Sequence, residues 1–315
     1  MLSEVSLCIT TYNDEKEIYS LLNDIDSQSL LPKEIVFADG GSTDSTVDIL
    51  KEYKEHSLIP VKILSGKRLN ISQGLNTAIR SSIGTYILIM ATGNSYKPDF
   101  IEILYKNLKE NKVDICYPPL ICHKNNTFSK LYDKYLMNDG RGTRYPSNHG
   151  ILINKNVYKR IGLYYEYFIY AGEDAEFNKR ISDCGKYKLS CVDDTHVEWN
   201  PPNTLKNFNR QIKAYTIAKM QIETLPKIIW DYKYFFIFIL SFVLVFFGVI
   251  NRDLKTSIIA FMIMLLTLFK KSNISSLFNW MRFYQDCYSL FVIIFNLKYA
   301  SKSYHVDRRK ISYLL

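Results

Sequence analysis

The chain has 315 residues, enough for about two domains, with 47% hydrophobic residues and a net charge of +9. A basic excess suits nucleic acid, anionic lipid or phosphate-bearing substrates, but the sequence carries no RNP, zinc-finger or helix-turn-helix pattern, which argues against nucleic acid. The six cysteines, at 8, 116, 122, 184, 191 and 287, lack C-x-x-C spacing, so neither a zinc site nor a disulfide framework is expected and a reducing compartment fits.

Ser3-Glu4 leads directly into an apolar run, and no signal peptide is expected. Residues 5–10 (VSLCIT) read as a buried strand, 11–14 as a turn and 15–22 as a helix. The most informative stretch is 34–50, EIVFADGGSTDSTVDIL. Its apolar run ends in Asp39 and two glycines, and Ser42, Thr43 and Asp44 supply N-cap chemistry for a helix. An acid at the C-terminal end of a strand, with glycines clearing space beside it, marks where open α/β sheets bind ligands. The same residues would also serve as a plain strand–turn–helix connection with a capping aspartate.

Residues 61–64 form a third strand, Ser65-Gly66-Lys67-Arg68 a basic turn, and 71–82 a helix with an apolar stripe at 71, 75, 78 and 79. A fourth strand, 86–90 (YILIM), runs into the loop Ala91-Thr92-Gly93-Asn94-Ser95. Such alternation predicts an α/β fold with a mostly parallel sheet flanked by helices. Further strands are expected at 113–117, 150–154 and 188–192, with helices from Pro98 to about residue 111 and over 155–161. Residues 122–148 read as irregular or locally helical, and the pattern does not place their elements. Gly172-Glu173-Asp174 opens a helix over 175–184 that Gly185 closes. Acids there suit the helix dipole as well as chemistry. After Pro201-Pro202, residues 205–220 form a basic amphipathic helix.

Toward the C-terminus, 232–250 (YKYFFIFILSFVLVFFGVI) is apolar enough to be expected to span a bilayer, and 257–269 is a second, shorter run. Lys219 and Lys227 before them and Lys270-Lys271 after them predict a hairpin with both ends cytosolic. Residues 280–297 read as interfacial or as a third span, and the basic tail 302–310 suits an anionic leaflet. The expected division is therefore a domain over 1–225 and a membrane-associated helical region over 226–315.

VSLCITTYNDEKEI at the start, ADGGSTDST at 38–46, SGKRLNISQGLNTAI at 65–79, YKPDFI at 96–101, NHGILINKNVYKRIGLY at 148–164 and GEDAEFNKRI at 172–181 together resemble family 2 glycosyltransferases with the GT-A fold. The likeness spans about residues 3–220. NPPNTLKNFNRQIKAY at 200–215 is most similar to the membrane-associated subgroup of the succinoglycan glucosyltransferase type, which extends exopolysaccharide repeat units.

The resemblance implies an inverting enzyme that moves a sugar from a nucleotide diphosphate donor, a UDP-sugar being favoured. The implied acceptor is a glycan or polyprenyl-diphosphate-linked glycan in surface polysaccharide synthesis, met at the cytoplasmic face of the plasma (inner) membrane beside membrane lipids. By the same resemblance Thr11 and Asp39 bind the nucleoside, Arg68 contacts base or phosphate, and Asn94 belongs to the donor site. Asp174 is the implied catalytic base, and Glu173 orients the acceptor or holds the helix start. His149, Arg210 and Lys213 are candidates for the acceptor or the diphosphate.

One departure stands out. Aligning through Met90 and Tyr96 places Ala91 and Gly93 where the family carries a D-x-D or Asp-Ala-His motif for Mg²⁺ or Mn²⁺. Neither residue ligates a cation through its side chain. Three readings follow. The metal is absent and Lys67, Arg68, Arg210 or Lys213 meets the diphosphate charge; or a metal is held elsewhere, with Asn94, His149 or His196; or the chain is an inactive relative that binds nucleotide or glycan. A processive synthase is disfavoured, because Asn209-Arg210-Gln211 has no following Trp and the spans are too few for a channel. A nicotinamide oxidoreductase is disfavoured by the missing G-x-G-x-x-G after the first strand.

Overall fold

The computed structural model describes residues 3–137, 143–168, 170–271, 280–300, 306–307 and 310–311. The chain forms two compact units, Met1–Asn203 with Val306–Leu315, and Thr204–His305.

In the first unit the elements run β1 (Val5–Thr11), α1 (Ile18–Asp26), β2 (Glu34–Asp39), α2 (Thr46–His56), β3 (Val61–Leu64), α3 (Ile71–Ser81), β4 (Tyr86–Ile89), β5 (Asn94–Tyr96), α4 (Phe100–Glu110), β6 (Ile115–Tyr117), β7 (Leu120–Cys122), α5 (Thr127–Leu136), β8 (Ile151–Asn154), α6 (Lys155–Ile161), α7 (Glu173–Cys184), β9 (Leu189–Cys191) and β10 (Val197–Trp199). The main sheet has the order β3-β2-β1-β4-β8-β6-β9, and β5-β10-β7 form a small second sheet. β1, β2, β3 and β4 are parallel, as are β6 and β9; β8 alone runs antiparallel to both its neighbours, β4 and β6. The mostly parallel sheet read from the sequence is the one observed.

Every residue of β2 is buried, because helices cover both faces of the sheet and a central parallel strand has no polar side. The pleat sends alternate side chains to opposite cores. Leu7, Ile9, Ile35 and Phe37 pack with Ile18, Leu21, Phe100 and Leu104, while Cys8, Val36 and Ala38 pack with Leu75, Ile79, Val157 and Phe177.

The strand order brings the site to one end of the sheet. β1 lies between β2 and β4, so the chain direction of winding reverses at β1/β4, where open sheets leave a crevice beyond the carboxyl ends of their strands. Because β8 is antiparallel, with Ile151 opposite Ile89, residues 148–150 lie at that same end, beside the loop that follows β4.

The second unit holds α8 (Leu205–Ile222), α9 (Leu225–Asp231), α10 (Lys233–Ile250), α11 (Leu254–Lys271), α12 (Trp280–Phe295) and a 3-10 turn, Leu297–Ala300. α8, read from the sequence as part of the first domain, clusters here with the helices that follow it. Met220, Ile228, Tyr232 and Ile293 form its buried core, and Tyr284 Oη donates to Asn209 Oδ1 at 2.8 Å.

The expected transmembrane hairpin is corrected: among the described residues no helix is long and apolar enough to cross a membrane. The uncharged stretch of α10, 234–250, reaches about 26 Å at 1.5 Å per residue, short of a hydrocarbon core of roughly 30 Å. That of α11, 256–269, is shorter still, being closed in by Lys255 and Lys270. Apart from 306, 307 and 310, the basic tail 302–310 lies outside the described residues.

Candidate active site

The register places Thr11 directly beside Asp39 at the carboxyl ends of β1 and β2. Asp39 is buried, and its carboxylate is spent on the loop that follows. Oδ2 accepts from the amides of Gly41 and Ser42 at 3.0 Å. Oδ1 accepts from Ser42 Oγ at 2.5 Å and Thr11 Oγ1 at 3.4 Å. Asp39 therefore shapes the backbone of residues 40–42. The glycines are required there: Gly41 has φ +89°, and a Cβ on Gly40 would come within 3.0 Å of the Leu69 carbonyl. Arg68 follows this close approach and is exposed, with its backbone against Gly41. The loop is tied onward to the turn after β1, since Thr43 N donates to Asn13 Oδ1 and Asn13 N donates to Ser42 Oγ. Asp44 accepts from the Thr46 amide at 3.0 Å just before α2, whose N-cap is Ser45, without a side-chain cap bond, rather than the expected Ser42 or Thr43.

The loop after β4 joins the same assembly, because Thr92 Oγ1 donates to Asp14 Oδ2 at 3.0 Å. Burial raises the Asp14 carboxyl above the usual range. Asn94 is buried, and its Nδ2 reaches the Ala91 carbonyl (3.1 Å), Tyr96 Oη (3.2 Å) and His149 Nδ1 (3.0 Å). Burial pushes His149 down to about 4, so the ring is neutral and Nδ1 serves as acceptor. Asn94 and His149 thus brace the loop from beneath. His196, by contrast, shares the Glu198 carboxylate with His123, at 3.6 and 3.3 Å.

These residues do not fit a divalent cation. Ala91 and Gly93 offer no side-chain oxygen, the Thr92 hydroxyl is engaged, and only Asn94 Oδ1 is a buried acceptor lacking a partner there among the described residues. Mg²⁺ is usually held by one or two protein carboxylates besides water and substrate phosphates, and positions 91 and 93 supply none. No group of three or more His, Cys, Asp or Glu that could hold a metal occurs among the described residues.

Asn148, beside His149, leads to the carboxylate pair. Its Nδ2 donates to Glu173 Oε1 at 3.3 Å, and the Gly172 amide donates to Glu173 Oε2 at 3.1 Å. Gly172, at φ +117°, adopts a conformation that disfavours side chains and turns the chain into α7. Glu173 is buried with both oxygens held. Asp174 is partly exposed, and its Oδ1 accepts from the Ala175 amide at 2.7 Å. Burial, then the neighbouring Asp174 charge, pushes Glu173 up to about 7; burial raises Asp174 as well. Two adjacent acids in one confined place resist double ionisation. Hydrogen bonds and short stretches of chain lead from Asp39 through Ser42, Asn13, Asp14, Thr92, Asn94, His149 and Asn148 to Glu173, and His196 lies outside this series. Arg210 and Lys213 are exposed on α8 of the second unit. Asn148 and Asp14 escaped the sequence reading; their hydrogen bonds are made across the fold and leave no local pattern.

Residues 6–170, just over half of the chain, match the family described as Glycosyl transferase family 2. The chain belongs to that family. A glycosyltransferase with 24% identity over 262 residues is the dolichyl N-acetyl-alpha-D-glucosaminyl phosphate 3-beta-D-2,3-diacetamido-2,3-dideoxy-beta-D-glucuronosyltransferase of Methanococcus voltae, with 76% of this chain and 81% of that one aligned. The chondroitin synthase of Escherichia coli is 32% identical, over 34% of this chain and 16% of the synthase. Among solved structures, the mannosyltransferase PcManGT from Pyrobaculum calidifontis, in complex with GDP-Man and Mn²⁺, superposes with a TM-score of 0.62 at 17% identity, covering 94% of this chain and 88% of the other. That likeness establishes the shared GT-A-like fold. The protein is thus a family 2 glycosyltransferase.

Proposed function

We propose that this glycosyltransferase moves a sugar, with inversion, from a nucleotide diphosphate donor to a hydroxyl of a glycan acceptor, with Asp174 as base. A UDP-sugar is the favoured donor and a lipid-linked glycan in surface polysaccharide synthesis the favoured acceptor. The observation that carries this reading is the pair Glu173-Asp174 at the end of the sheet where the β1, β2 and β4 loops meet. Glu173 is held through both oxygens, while Asp174 is half-exposed, with Oδ1 taking the Ala175 amide. A base must sit within hydrogen-bond reach of the hydroxyl it deprotonates, and a fixed partner beside it keeps its orientation. Transfer from UDP-glucose, UDP-N-acetylglucosamine, UDP-galactose or GDP-mannose to native lipid extracts tests the reading; no transfer from any of them contradicts it.

The loop chemistry bears on the leaving group. With no carboxylate at 91 or 93, the diphosphate charge is met by cations such as exposed Lys67 and Arg68 and by backbone amides. Transfer is expected to survive excess EDTA with less than about a threefold loss. Loss of turnover restored by Mn²⁺ would show a metal held by other groups. The same loop supports a second reading, a non-catalytic nucleotide- or glycan-binding relative, which calorimetric donor binding without transfer or hydrolysis would favour.

The helical unit supports attachment to a plasma membrane surface, with the catalytic unit on the cytoplasmic side. α10 and α11 expose Phe242, Phe246, Phe247, Ile258 and Phe261 to about half of their full extent or more, an apolar surface suited to lying within the headgroup boundary. Lys233 Nζ stands 3.6 Å over the Trp230 ring at the start of α10, a pairing of charge and aromatic suited to a membrane interface. The protein is expected to float with vesicles containing anionic lipid, and F246S/F247S to reduce the bound fraction at least about threefold. Equal recovery in the soluble fraction with and without vesicles would contradict attachment.

A further inference from the structure

The carboxylate pair is held by a second set of polar residues, buried or half-buried except for Asn70 at its far end, that the transfer reading does not use. Tyr164 Oη donates to Asn148 Oδ1 at 2.8 Å. Asn148 Nδ2 donates to Glu173 Oε1 at 3.3 Å. Tyr164 is itself immobilised. Its amide donates to Asn76 Oδ1 at 2.9 Å, and its carbonyl accepts from Asn76 Nδ2 at 2.8 Å. Its ring packs against Phe177 of α7, with centroids 4.8 Å apart. Asn76 Nδ2 also reaches Glu166 Oε1 at 2.7 Å, and the Glu166 carbonyl accepts from Nδ2 of Asn70, the N-cap of α3. The series therefore starts two residues after Arg68 and ends on Glu173.

The chemistry of an amide gives this series a direction. A carboxamide presents an acceptor at one end and a donor at the other. With a phenolic hydroxyl fixed at its oxygen, Asn148 must turn its N–H toward Glu173. An ionised aspartate at 148 would have no donor to offer Glu173.

We propose that Asn148, oriented by Tyr164, is a positioning residue that sets Glu173 so that Asp174 faces the acceptor hydroxyl. This deepens the transfer reading and rests on it for the role of Asp174, while the contact itself stands on the geometry alone. The titratable groups facing Glu173 are Asp174, on its own helix, and the Tyr164 phenol, reached through Asn148. On α7, Glu176 is turned into its own ion pair with Arg180.

Y164F and N148A test the proposal. The first keeps the packed ring and removes only the hydroxyl; the second removes the donor. Losing a donor to a carboxylate favours its neutral form, so Glu173 should titrate at higher pH in both variants. The readout is ¹³C NMR of carboxyl-labelled glutamate in the full-length protein, with Glu173 assigned from the E173Q difference spectrum. In transfer assays with the donor panel, kcat should fall about tenfold in each variant and donor KM should stay within about twofold. The double variant should be no worse than N148A alone, because the two residues act in series. An unmoved Glu173 titration in both variants overturns the proposal whatever turnover does. A moved titration with unchanged turnover overturns the role in transfer. A moved titration in a protein that transfers nothing upholds the contact and instead removes the functional reading.

Discussion

Asp174→Asn is expected to lower transfer by on the order of 10³-fold while leaving donor affinity within about twofold. The amide has the shape of the carboxylate but cannot accept a proton from the attacking hydroxyl. Its oxygen still receives the Ala175 amide that Asp174 Oδ1 receives at 2.7 Å, so the start of α7 should persist and the loss should be chemical. The pH dependence gives a second check. The base works only when ionised, and burial raises the Asp174 carboxyl. The acid limb of the wild-type profile is therefore expected above the ordinary aspartate range, with activity falling as pH drops through it. Calorimetry with the donor separates binding from turnover. Full activity in the variant would remove Asp174 from the role of base.

Arg180→Ala is the substitution with the largest expected cost to stability. Arg180 and Glu176 are both buried, and Arg180 Nε lies 2.8 Å from Glu176 Oε1. The guanidinium also donates to the carbonyls of Ile161 (2.6 Å), Gly162 (3.3 Å) and Leu163 (2.8 Å). Removing it leaves a buried carboxylate and three carbonyls to find other partners, a loss of about 3–5 kcal/mol. The urea midpoint should fall accordingly with little change in slope. Lysine should recover only part, since a point charge cannot reach all of these acceptors from one place. A midpoint within error of the wild type would show that the clamp adds nothing net. The carbonyls it holds belong to the connection that runs toward Glu173, so the same residue ties the fold of α6 and α7 to the active site.

What the sequence makes readable is what depends on nearest neighbours. β2, β4 and β8 are built on continuous apolar runs, β1 and β3 on runs broken by Ser6 and Lys62, α3 has a clear apolar stripe, and Gly185 does end α7 in the left-handed conformation, at φ +61°. β5, β7 and β10 are three residues each, too short to carry a period, and exist through pairing of β10 with β7 across 77 residues and with β5 across more than 100. α5 lay in the unplaced stretch because its box closes with Ser129 on Asn126 rather than with the usual Glu or Gln. Asp39 was legible as a strand-end acid, but its four hydrogen bonds turn it inward to the loop, which only the φ and spacing of its neighbours reveal. By composition, the phenylalanine-rich stretch near 240 reads as a membrane span. Its uncharged length, set by Lys233 and Arg252, decides how far such a helix reaches.

The anomeric configuration of the product tests the central claim most directly. With UDP-glucose or another α-linked UDP-sugar that supports turnover, ¹H NMR of the isolated product reads the new linkage. Single displacement by a hydroxyl that Asp174 deprotonates predicts a β-linked sugar; an α-linked product would contradict it.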